Sequence, residues 1–149
     1  MTPRSIRFDD DLLRRLDRYV RDHPGTSMSS MTSVFVDEAL RAEEHPGIMF
    51  RPGPAGRRAG LVGGPDVWQV IDTLLTVRES APELDEDALL AETAEMSGLA
   101  RTQIRVAVRY YAAYSTEIDE WITANRELAA HTEQQWLAEQ DLLRGTRVR

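Results

Sequence analysis

Ser5, Ile6, Arg7 and Phe8 alternate polar and apolar, which in an extended chain puts Ile6 and Phe8 on one face and Ser5 and Arg7 on the other. The period then changes. Leu12, Leu13, Leu16, Tyr19 and Val20 recur at helical spacing, with Arg14, Arg15, Arg18 and Arg21 outside them. Asp9 suits the N-cap, and Asp10 and Asp11 fall in the first turn, where the helix dipole favours negative charge. Pro24 and Gly25 end this helix. A second begins among Ser27 to Ser30 and runs to about Arg41, with Met31, Val34, Phe35, Ala39 and Leu40 as its buried stripe. The pattern predicts one short strand over Arg4 to Phe8 and two helices within residues 1–44.

Residues 45–65 have a different texture, holding six of the nine glycines and four of the seven prolines. Composition alone suits a linker. The alternation of Ile48 with Phe50, the Pro52-Gly53-Pro54-Ala55-Gly56 turn and the alternation of Ala59 with Leu61 suit a small hairpin instead. Arg57 and Arg58 read as solvent-exposed arginines or as phosphate contacts near the strand. The glycines lack the ending of a phosphate loop.

Helical periodicity fills residues 66–149. Pro65 fits an N1 position before a stripe of Val67, Val70, Ile71, Leu74 and Leu75, with Trp68 beside it. A helix over about Asp85 to Met96 with Leu89, Leu90 and Ala94 inward, a break at Gly98, and a helix over about Arg101 to Tyr114 with Ile104, Ala107, Val108 and Tyr111 inward have helix-turn-helix spacing. Arg101, Arg105 and Arg109 form one basic stripe, which reads best as a solvated face pairing with nearby carboxylates such as Glu92, Glu95 and Glu117. DNA or an acidic partner are the alternatives. From Ser115 or Thr116 as N-cap, one long helix extends to about Leu143, with Gly145 as its stop. It exceeds what a small core covers, so part of it is expected to meet another chain through Trp121, Trp136, Leu142 and Leu143, or to pack on its own dimer mate or domain.

The lone N-terminal strand has no partner within its own segment, and some forty residues bury too little apolar surface to fold alone. A two-fold dimer that pairs strand with strand solves both problems. On these features Arg4 to Arg41 resembles the CopG, Arc and MetJ family of ribbon-helix-helix repressors. The resemblance implies an intertwined homodimer whose paired strands lie in the DNA major groove. It also implies that Arg4, Ser5 and Arg7 read bases, with Pro3 at the margin, and that the start of the second helix, Ser29, Ser30 and Met31, holds a phosphate through backbone N–H groups. Arg7 leads this set because a guanidinium can bond guanine O6 and N7 together. Two positions depart from the family pattern: Arg4 stands where an apolar residue is usual, and Pro3 cannot donate to a ladder.

A second resemblance covers residues 46 to about 122. It rests on Pro46-Gly47-Ile48, Gly56-Arg57-Arg58-Ala59, Gly63-Gly64-Pro65-Asp66-Val67-Trp68, and Tyr110 to Tyr114 through Glu117-Ile118-Asp119. This stretch is similar to a small winged-helix-like domain of unknown function in VapB-type antitoxins, departing by an acidic insertion around Glu79 to Asp87. The resemblance implies a toxin-antitoxin context, in which one protein represses its own operon and neutralises a PIN-domain ribonuclease.

The net charge of −7 is unusual for a DNA binder, but the acidic excess lies mostly in the last half, and a dimer brings two copies of Arg4 and Arg7 to one locus. Weak non-specific binding and a shallow salt dependence follow. Without cysteine, disulfides and thiolate metal sites are excluded, and His23, His45 and His131 lie far apart, so neither metal nor cofactor is expected. No apolar run approaches the roughly eighteen residues of a membrane span and no charged-then-apolar leader opens the chain, so the expected location is the cytoplasm. The carboxylates lie in acidic surface runs, and no nucleophile, base and orienting residue assemble into a catalytic set. The sequence thus predicts a mainly α protein with three segments: a ribbon-helix-helix domain over 1–44, a hairpin or linker over 45–65, and a helical partner-binding domain over 66–149. The predicted function is a dimeric repressor acting as antitoxin. The alternative is an interaction module that holds a partner through its C-terminal helices, its N-terminus serving mainly to dimerise.

Overall fold

The computed structural model describes residues 4–145. The fold is mainly helical, with one small antiparallel sheet, and the chain divides into two compact units between Glu44 and His45.

The first unit contains α1 (Asp10–Asp22) and α2 (Met28–Glu44). Asp9 caps α1, its carboxylate accepting from the Leu12 N–H at 2.8 Å. The helix ends at His23, before Pro24. At the next start, the hydroxyl of Ser27 accepts from the Ser30 N–H while the Ser30 hydroxyl accepts from the Ser27 N–H, each at 3.1 Å. This reciprocal pair makes Ser27 the cap, and α2 continues to Glu44, three residues past the expected end. Tyr19 meets Phe35 edge-on, with ring centroids 5.0 Å apart. Among the described residues of this unit only Leu16 and Met31 are buried. The expected strand is not formed within one chain: residues 4–9 have no regular secondary structure. The physical reason is that ladder hydrogen bonds need a second strand, and the segment has none in its own chain.

The second unit opens with a hairpin rather than a linker. β1 (Ile48–Arg51) pairs antiparallel with β2 (Arg58–Leu61), placing Ile48 opposite Leu61 and Phe50 opposite Ala59. Ile48, Ala59 and Leu61 are buried in one core with Val67, Val70 and Ile71 of α3 (Val67–Ser80). The Gly and Pro content therefore serves the turn, while alternate strand positions feed the core. Asp66, not Pro65, sits at the cap of α3. Pro65 lies one residue earlier, its carbonyl accepting from the Leu61 N–H at 2.9 Å.

Asp85 caps α4 (Glu86–Ser97), which ends at Gly98 in the left-handed region, φ 68°. That conformation costs glycine nothing and lets the chain turn into α5 (Arg101–Ala113). In α5 the inward residues are Ile104, Ala107 and Tyr110. Tyr110 replaces the expected Tyr111, and Val108 is exposed rather than inward, because the apolar residues form a run wide enough to allow either neighbouring face. Tyr110 is ringed by His45, Phe50 and Tyr114, with centroids 4.7–6.4 Å away. α6 (Ser115–Leu143) follows directly, with Tyr114 at the cap position, so Ser115 is its first helical residue and not its cap. Only Ile118 and Ile122 of α6 are buried. Arg126 ties the helix to α3 through Asp72, with Nε 2.7 Å from Oδ1. No helix of the described residues is long and apolar enough to cross a membrane.

Candidate nucleic-acid interface and partner surfaces

Arg4, Ser5 and Arg7 are all exposed, as the expected base-reading positions must be. Pro3 lies outside the described residues. The face that should pack inward is open as well: Ile6 is 72 % exposed and Phe8 half-buried. Val36 and Leu40 of α2 are 50 % and 57 % exposed.

Of the three residues expected to hold a phosphate, Ser29 and Ser30 are exposed and Met31 is buried. Ser30 N–H is taken by the Ser27 hydroxyl, and Met31 N–H donates to the Ser27 carbonyl at 3.0 Å. The cap therefore narrows the expected cradle to the Ser29 N–H, since a hydroxyl at the cap competes with any anion for the same orphan donors.

The arginine stripe of α5 pairs with acid, but not with the carboxylates expected. Arg105 lies 3.2 Å from Glu86 and Arg101 3.4 Å from Asp87, both partners in the first turn of α4. The turn at Gly98 brings that end of α4 alongside, a proximity absent from sequence spacing. Arg109 flanks, with Arg105, a mostly apolar groove of about 350 Å³ whose walls include Ile71, Leu74, Leu89 and Val108. Tyr111, at its edge, donates its phenol to Asp119 at 2.9 Å, and this bond to the carboxylate holds the Tyr111 pKa above its ordinary value.

On α6 the four expected anchors separate. Trp121 is half-buried, whereas Trp136, Leu142 and Leu143 are exposed, the last two by about four-fifths. Leu128 and Leu137 are exposed too. Beyond Ile122 the helix runs past the core that holds its first turns.

Sequence reasoning missed a tightly built polar cluster. Arg51 and Arg58 stand opposite each other in the hairpin and both grip Asp66, which is 5 % exposed. Arg51 Nη1 donates to Asp66 Oδ1 at 3.1 Å, and its Nη2 to the carbonyls of Leu61 and Gly64 at 2.5 and 2.6 Å. Arg58 Nε donates to Asp66 Oδ2. Arg58 is therefore neither a free surface cation nor poised on DNA through that nitrogen. Each guanidinium lies against a glycine: a Cβ at Gly60 would lie 2.8 Å from Arg51 Cζ, and one at Gly53 would meet Arg58 Nη1, so a side chain at either position would displace the arginine's tip. The available signal was positional, two arginines at matching places in a hairpin and an aspartate at a helix start. No group of three or more His, Cys, Asp or Glu suited to a metal occurs among the described residues.

Comparison with protein-family models, with curated proteins and with solved structures yields no match for this chain.

Proposed function

We propose that the protein is a dimeric DNA-binding transcriptional repressor that reads its operator with Arg7, assisted by Ser5 and Arg4, and that it acts as the antitoxin of a toxin-antitoxin pair. The observation that carries this reading is the unfinished first unit. Two well-capped helices bury only Leu16 and Met31, while Ile6, Val36 and Leu40 stay open and residues 4–9 lack a strand partner. A second copy supplies what is missing, and pairing the two N-terminal segments places both Arg7 side chains on one outward face. The test is an operator shift assay repeated over salt concentration. Arg7→Ala costs about 1 to 3 kcal/mol of operator affinity and relaxes preference at one base pair; unchanged affinity and preference would sink ribbon readout. The acid-rich chain neutralises few phosphates, so the salt dependence is shallow.

A second reading is favoured by a separate observation, the exposed apolar end of α6. In it the chain is first a partner-holding module, capturing a PIN-domain ribonuclease through Trp136, Leu142 and Leu143, and the N-terminal unit mainly dimerises. The two readings are compatible in one antitoxin.

A further inference from the structure

We propose that the cleft bounded by the hairpin turn, the start of α3 and α6 is a nucleotide site, with the phosphate on Arg58 and the base against Trp68 and Trp121. The cleft holds about 410 Å³, within the range of small-ligand pockets. It brings together a cation and two of the three tryptophans of the chain.

Arg58 is the central observation. Its side chain is only 27 % exposed and is fixed by the Nε bond to Asp66, yet its two Nη groups have no hydrogen-bond partner among the described residues. Asp66 is shared with Arg51, so one carboxylate faces two guanidinium groups and the cluster keeps a positive charge. A guanidinium held in place with unused donors loses little freedom on binding an anion, and its fork suits phosphate oxygens. Trp68 and Trp121 are both half-buried against this cleft, and indole faces beside a cation are how proteins hold bases without sequence preference. Gln69 adds a polar edge: its Oε1 accepts from the Asp66 N–H at 3.1 Å, which leaves its amide N–H groups to donate.

This site is independent of Arg4, Ser5 and Arg7 and stands or falls apart from operator reading. A nucleotide could come as a free mononucleotide or as part of a single strand. The experiment is an NMR titration of the full chain with adenosine monophosphate, followed on the three indole N–H signals. Trp68 and Trp121 should move saturably while Trp136 stays still and serves as internal control. Adenosine and inorganic phosphate should each bind at least about tenfold more weakly. Replacing Arg58 would also remove a partner of the buried Asp66, so the blocking variant is Ala55→Glu, on the exposed turn at the cleft edge. It should weaken binding about tenfold with the other signals of the folded chain unchanged. Absence of saturable movement, equal affinity for adenosine and its monophosphate, or an unaffected Ala55→Glu protein would each overturn the proposal. A short single-stranded oligonucleotide that binds more tightly than the mononucleotide assigns the site to a strand; weaker binding assigns it to the free nucleotide.

Discussion

Asp66 joins three chain segments that sequence order keeps apart: both hairpin strands through Arg51 and Arg58, and α3 through its own position at the cap. A buried carboxylate is tolerable only because two guanidinium groups replace its water, and removing it leaves both arginines without their counter-charge. Asp66→Ala should therefore destabilise the second unit by about 3 kcal/mol, the low end for a broken buried pair, since both arginines keep some contact with solvent. Urea unfolding read by tryptophan fluorescence measures this directly, because all three tryptophans lie beyond Glu44. A cost under about 0.5 kcal/mol, the ordinary range for surface changes, would mean the cluster is incidental.

Among the elements, α6 is the one whose length exceeds its packing. Ile118 and Ile122 fix its first turns and Arg126 adds a bond to Asp72, whereas Leu128, Trp136, Leu142 and Leu143 face solvent. At about 1.5 Å per residue the part after Arg126 extends some 25 Å, and it contributes little to the core. A chain ending at Glu127 should unfold within about 0.5 kcal/mol of the full chain and lose helical circular dichroism in proportion to the residues removed. If the exposed end holds a ribonuclease partner, the same truncation abolishes neutralisation when the two are co-expressed. A truncated chain that still neutralised the enzyme would place partner binding elsewhere.

For the whole molecule, the two units have unlike cores. The second closes one around Tyr110, Leu61 and Ile104, and the first buries two side chains. Leu40→Glu separates monomer from dimer. At 57 % exposure in a single chain, the change should alter monomer stability by no more than about 0.5 kcal/mol. In an intertwined dimer the same carboxylate enters the interface, so sedimentation should show dissociation and the melting temperature should fall and become dependent on concentration. Wild-type association with no effect of Leu40→Glu would remove this face from the interface.

Much of the local structure was legible in the sequence because its causes are local. Asp9 as a cap, the break at Gly98 and the stripe of α3 follow from side chains acting on their own backbone or on a neighbouring turn. The hairpin was legible in part: alternation at Ile48, Phe50, Ala59 and Leu61 competed with a Gly and Pro content that also suits a linker, and burial against α3 decided it. The partners of charged and aromatic residues were not legible. Arg101 and Arg105 found Asp87 and Glu86, Tyr110 turned inward in place of Tyr111, and Ser27 claimed donors expected to serve a phosphate. The Asp66 cluster with its cleft depended on three segments meeting. By itself, then, the sequence determined which segments are helical and, to within a few residues, where they begin and end. Only the tertiary structure decided which charges meet, because periodicity sets the face a residue occupies while its partner depends on how separate elements pack.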